Sequence, residues 1–198
     1  MTGNGKAQKL TIFLMNNFLS YFAFRIASFF IAFFPEMLLY AFSDFISFLL
    51  YSVIRYRREI VRKNLVNSFP GKKIEEIIQI EKKYYQNLAD LLVETVKMAH
   101  LSQKQLSKKC SFKNPELLEK YYKQGKDIVA VSSHYANWEI CGLALASQIN
   151  YEVVALYKPL KNKFFDKWLI KTRANFGTRL VTMKDALRYV KNKSGKPV

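Results

Sequence analysis

At 198 residues the chain has room for one domain and an appendage, and a formal net charge of +17 on a sequence that is 50% hydrophobic calls for a partner both anionic and apolar. A membrane lipid is both, whereas nucleic acid supplies the anion but no use for 16 Phe, and no nucleic-acid-binding motif is present. Two cysteines, Cys110 and Cys141, exclude a disulfide scaffold and fit a reducing compartment; two histidines and no CxxC pair leave no expected metal or cofactor site.

Residues 1–9 are polar and are expected to be disordered. Two apolar runs follow, 18–34 broken by Arg25 and 37–54 broken by Asp44, with Pro35 ending a helix between them. No small-residue cleavage site follows the first run, so it does not read as a cleavable signal. Each run is at the short end for a bilayer span, and a charge at a helix centre costs roughly 2.5–3.5 kcal/mol. A single span over 18–34, with the second run lying against the membrane or the catalytic domain, is the first expectation. A helical hairpin, two interfacial helices and a soluble helix pair are the alternatives. The segment 55–63, RYRREIVRK, holds five bases in nine residues and reads as a cytoplasmic anchor to anionic headgroups, or else as a solvated helix face. Residues 1–54 are thus expected to attach the chain to the membrane and 55–198 to form the catalytic domain.

Apolar residues recur at helical spacing over 73–99. Asn114, Pro115 and Gly125 punctuate a second helix. The period then changes: strands over 127–134, 152–159 and 178–183 alternate with helices over 137–149, 161–176 and 184–193. That order predicts an α/β domain with a mostly parallel or mixed sheet flanked by helices. The final SGKPV reads as a turn opening a further strand, so the domain is expected to be incomplete at its C-terminus.

The chemistry concentrates in SSHYANWE, residues 132–139. A strand delivers His134 at its C-terminal edge, Asn137 caps the next helix, and Glu139 falls in that helix's first turn, where negative charge is favoured. A carboxylate five residues on can fold back onto the imidazole, hold one ring nitrogen as a donor and leave the other to take a proton from an attacking alcohol. A satisfied strand-end histidine is the plain alternative. Ser132 and Ser133 lie in no GxSxG turn and are read as strand-end residues, and Cys141 as packing. A second constellation, 157–179, sets seven bases against Asp166. Lys158 at a strand end and Arg173 on the following helix are positioned to hold phosphate or an oxyanion, and the other lysines read as a solvated face.

HYANWE resembles the H-x4-D/E block of the late acyltransferases of lipid A biosynthesis, usually GHxGNWE; Ser133 and Ala136 stand where that form has glycine. Tyr157, Lys158, Pro159, Asn162, Asp166, Arg173 and Gly177 fall in register with the family's second block, and Asn64, Leu65, Phe69 and Pro70 with the segment joining membrane helix to catalytic domain. The resemblance implies a glycerolipid-acyltransferase-like fold in an enzyme of the bacterial inner membrane with its catalytic domain on the cytoplasmic face. It implies acyl carrier protein as donor and a hydroxyl of a Kdo-bearing lipid A precursor as acceptor. His134 and Glu139 would be the catalytic pair, with Asn137, Lys158 and Arg173 binding substrate. Family members run on for roughly a hundred residues, including a DQ-containing block that this chain lacks. Another glycolipid or lysophospholipid acceptor, or an inactive membrane-bound fragment, remain the alternative readings.

Overall fold

The computed structural model describes the backbone of residues 3–193 and 195–198, and side chains from Met15 onward. It is mostly helical, with a small two-stranded parallel sheet. Helix α1 (Gly3–Phe33) begins within the polar stretch expected to be disordered, while residues 1 and 2 lie outside the described residues. Once a long helix exists, each added residue gains a hydrogen bond without a new nucleus, so the helix extends into polar sequence. Helices α2 (Glu36–Phe48), α3 (Arg58–Ser68), α4 (Ile74–Met98), α5 (Gln103–Lys109), α6 (Pro115–Lys123) and α7 (Trp138–Ala146) follow. Strand β1 (Val154–Tyr157), α8 (Lys163–Ala174), β2 (Arg179–Thr182) and α9 (Ala186–Asn192) complete the order. Two compact units divide these elements: 29–98, and 1–28 together with 99–198.

In the unit 29–98, α2 packs along α4. Leu39 and Val93 are buried with Ile31, and Phe34, Phe42, Ile46 and Val96 pack around them. Pro35 is the N-cap of α2 (φ −60°, ψ 158°), and Lys97 Nζ donates to the carbonyls of Ile31, Ala32 and Phe34 at the end of α1. A cation there satisfies carbonyls with no helical partner. Polar side chains of α2 also turn to α4: Tyr40 Oη donates to Glu94 (2.7 Å), Ser43 Oγ to Asp90 (2.6 Å), and Gln86 to Asp44 (3.1 Å). Along α4 the buried positions Ile77, Glu81, Tyr85, Ala89 and Val93 recur every four residues. Glu81 would be costly on this stripe alone. Arg58 and Arg62 each place Nε 2.7 Å from one of its oxygens. Two of the five bases in 55–63 are therefore engaged, and Arg55, Arg57 and Lys63 stand exposed.

Among the described residues, one helical stretch is long and apolar enough to cross a membrane: Glu36–Val53, where α2 runs into a π-helical turn, with mean hydropathy 1.3 and 11% of it buried. The run 18–34, first choice from the sequence, is the latter part of α1. Its Phe18, Tyr21 and Phe24 pack with the rings of Phe164, Phe165 and Trp168 on α8, at centroid separations of 4.9–5.8 Å. Arg25 lowers its hydropathy, and those aromatic residues serve protein packing.

In the other unit, β1 and β2 run parallel with Tyr157 opposite Thr182, and α8 joins them. Gly177, at φ +86°, makes the turn from α8 into β2 at a backbone conformation that favours glycine. The strand expected over 127–134 does not form: that stretch is irregular, and Val129 and Val131 are 89% and 92% exposed. Among the described residues its one backbone bond to a distant segment runs from Ile128 N–H to the Val198 carbonyl (2.8 Å). Strand-like composition yields a strand only where a ladder partner lies alongside.

Candidate active site

The segment leading into α7 carries the signal. Asn137 Oδ1 accepts from Ile140 N–H at 3.0 Å, the N-cap expected from its type and place. That cap starts the helix so that Glu139, Ile140, Leu143 and Ala144 turn inward. Just before it, Ala136 sits at φ +48°, a left-handed conformation that costs an L residue roughly 1–2 kcal/mol and glycine almost nothing. Ala136→Gly is therefore expected to raise stability by about 1 kcal/mol, read as a melting midpoint roughly 2–4 °C higher. An unchanged or lower midpoint would mean that the corner holds no such strain.

Glu139 is buried and bound by Arg173 from α8, with Nη2 2.5 Å from Oε1 and Nε 3.2 Å from Oε2. This two-point pairing fits the planar guanidinium to both carboxylate oxygens. The side chains are only 10% and 13% exposed, so the pair joins α7 to α8 out of water. The His134 ring is exposed and lies 4.5 Å, centroid to centroid, from Trp138. Lys158 is exposed directly after β1, at the C-terminal end of the parallel pair. Burial pushes the nearby Tyr157 hydroxyl above its ordinary value, and Asp166 adds to the rise.

Helix α8 is itself capped: Asn162 Oδ1 accepts from the N–H groups of Phe164 and Phe165, and its Nδ2 donates to the Asn17 carbonyl. Asp166 accepts from Leu160 N–H at 2.8 Å and fixes the turn after Lys158. On its solvent side Lys163, Lys167 and Lys171 lie at successive i, i+4 positions, all exposed.

Of the five residues singled out from sequence, Glu139 and Arg173 are brought into contact, Asn137 builds the helix start that carries Glu139, and His134 and Lys158 stand at the surface. Trp138, not singled out, is the ring neighbour of His134; an aromatic side chain between the cap and Glu139 was the available signal. The packing role expected for Cys141 does not hold. The residue is exposed, with Sγ 3.1 Å from Cys110 Sγ. Burial first, then the Cys141 thiol, pushes the Cys110 thiol up to about 11.

A family model described as bacterial lipid A biosynthesis acyltransferase matches residues 7–193. No curated protein and no solved structure gives a match.

Proposed function

Because the chain belongs to the bacterial lipid A biosynthesis acyltransferase family, we propose that it transfers a fatty acyl chain from acyl carrier protein to a hydroxyl of a Kdo-bearing lipid A precursor. The corner 134–139 carries the reading: an exposed imidazole lies five residues before a carboxylate locked in place by Arg173. In this reading His134 takes the proton of the acceptor hydroxyl as its oxygen attacks the thioester carbonyl. The carrier thiolate leaves and is protonated, so an ester replaces the thioester and no cofactor is consumed. Each carboxylate oxygen has two lone pairs, so Glu139 bound to Arg173 keeps acceptor capacity for the ring N–H of His134. Asn137 positions this turn, Lys158 binds phosphate, and Arg173 contributes to acceptor binding. A glycerolipid-acyltransferase-like domain over 55–198 belongs to this reading, supported by the parallel β1–α8–β2 unit with Lys158 just past a strand end.

Residues 1–54 would hold the chain on the cytoplasmic face of the inner membrane. Met37, Leu38, Phe45 and Phe48 of α2 are exposed, while Tyr40, Ser43 and Asp44 are bonded to α4. Drawing α2 across a bilayer would draw charged α4 with it, at roughly 2.5–3.5 kcal/mol per charge. This favours a helix lying in the interface, with Arg55, Arg57 and Lys63 available to anionic headgroups.

The lysine row on α8 suits an acidic donor protein. Like charges at i, i+4 oppose the helix by about 0.2–0.5 kcal/mol a pair, and none of the three lysines has an ion pair among the described residues. The test is transfer by the purified protein in detergent, from acyl carrier protein to a Kdo-bearing lipid A precursor, read by mass spectrometry. A gain of one acyl chain is expected. Acylation of a lysophospholipid alone would reassign the acceptor, and no transfer to either would mark an inactive fragment. In the same assay, joint replacement of Lys163, Lys167 and Lys171 by Glu is expected to raise KM for the carrier roughly tenfold with kcat little changed, an effect that fades at high salt. An unaltered KM would take the donor off this helix.

A further inference from the structure

Two thiols outside the proposed chemistry meet at the junction of α5 and α7. Cys110 is the C-cap of α5 and half-buried; Cys141, in the first half of α7, is exposed. They are 31 residues apart in sequence, yet their sulfurs are 3.1 Å apart. A disulfide needs about 2.05 Å, so closure asks for a shift of about 1 Å. Their surroundings hold the same two ends together: Gln148 Nε2 donates to the Cys110 carbonyl at 2.9 Å, and the hydroxyls of Ser107 and Ser147 are 3.2 Å apart. We propose that Cys110 and Cys141 form a reversible redox pair, closed by a low-molecular-weight disulfide, that staples α5 to α7 beside the corner bearing His134 and Glu139.

Exposure sets the order of events. Cys141, as its thiolate, attacks one sulfur of oxidised glutathione, forming a mixed disulfide and releasing one glutathione thiolate. Cys110 then loses its proton to solvent and attacks the Cys141 sulfur, and the second glutathione leaves. Two protein thiols are oxidised, one glutathione disulfide is reduced to two glutathiones, and the thiol protons pass to the products. The raised value of the Cys110 thiol agrees with Cys141 acting first. The closed loop spans 110–141 and contains His134, Asn137 and Glu139. Cys141 follows Trp138, the ring neighbour of His134, by three residues and so shares its face of α7. In a reducing compartment such a pair rests open and closes under oxidative load.

The experiment needs no acyl substrate, so its failure is separable from failure of the acyltransferase reading. The full chain in detergent is incubated with oxidised glutathione, quenched, alkylated and mapped by mass spectrometry. Both thiols are expected to become unreactive together, with a Cys110–Cys141 linked peptide, no retained glutathione, and full recovery on adding dithiothreitol. Cys110→Ser should stop at a stable glutathione adduct on Cys141. Accumulation of that adduct in the unsubstituted protein while Cys110 stays alkylatable would overturn the proposal. So would inertness of both thiols in the folded chain.

Discussion

Replacing His134 by alanine is expected to lower acyl transfer roughly 10²–10⁴-fold, the usual contribution of a positioned base, while folding and membrane attachment stay as they were. The separation follows from where the ring sits. It is exposed and lies on one neighbour, Trp138. An aromatic contact of this kind is worth about 0.5–1.5 kcal/mol at most, too little to unfold a domain. The measurement pairs single-turnover transfer with a melting curve and membrane flotation of the same preparation. Turnover within about threefold of the unsubstituted protein would remove His134 as the base, since a base contributes at least about 10²-fold. Trp138→Ala gives the companion result: a smaller loss, because it frees the ring without removing the proton acceptor.

Where periodicity was long and strong, sequence and structure agree: the pattern over 73–99 is α4, and the strand–helix–strand order over 152–183 is β1–α8–β2. Caps were legible for the same local reason, as at Asn114 and Asn137. Helix α5 was overlooked because it is short and polar, although Ser102 and Gln105 form a capping box that announces it. The strand over 127–134 was expected on composition, and composition is blind to whether a ladder partner lies alongside. The sheet is correspondingly small. At the site, both partners of the ion pair were named separately, but a contact spanning 34 residues has no local signature. Sequence therefore offered Glu139 to the nearest cation-capable ring, whereas in the folded chain Arg173 occupies it.

That difference changes what Arg173 is expected to do. Read from sequence it handles acceptor, and its loss would spare the fold. With both side chains nearly out of water, removing either partner strands a charge, and Arg173→Ala or Glu139→Ala should each destabilise the domain by about 3 kcal/mol or more. Chemical denaturation read by tryptophan fluorescence, with Trp138 and Trp168 as reporters, checks this. The double variant Glu139→Leu/Arg173→Met removes both charges at similar volume. It should recover much of the lost stability, because neither partner is left unpaired. Activity should not recover with it. If Glu139 steadies His134, the double variant stays folded and transfers acyl groups at a rate closer to His134→Ala than to the unsubstituted protein. A stable double variant with full turnover would leave the ion pair a strut between α7 and α8 and strip Glu139 of any part in the chemistry. Glu139→Gln distinguishes the contributions more finely. It can still accept from a ring N–H but cannot stabilise the imidazolium formed when His134 takes a proton. Its kcat should therefore fall while its KM stays near that of the unsubstituted protein.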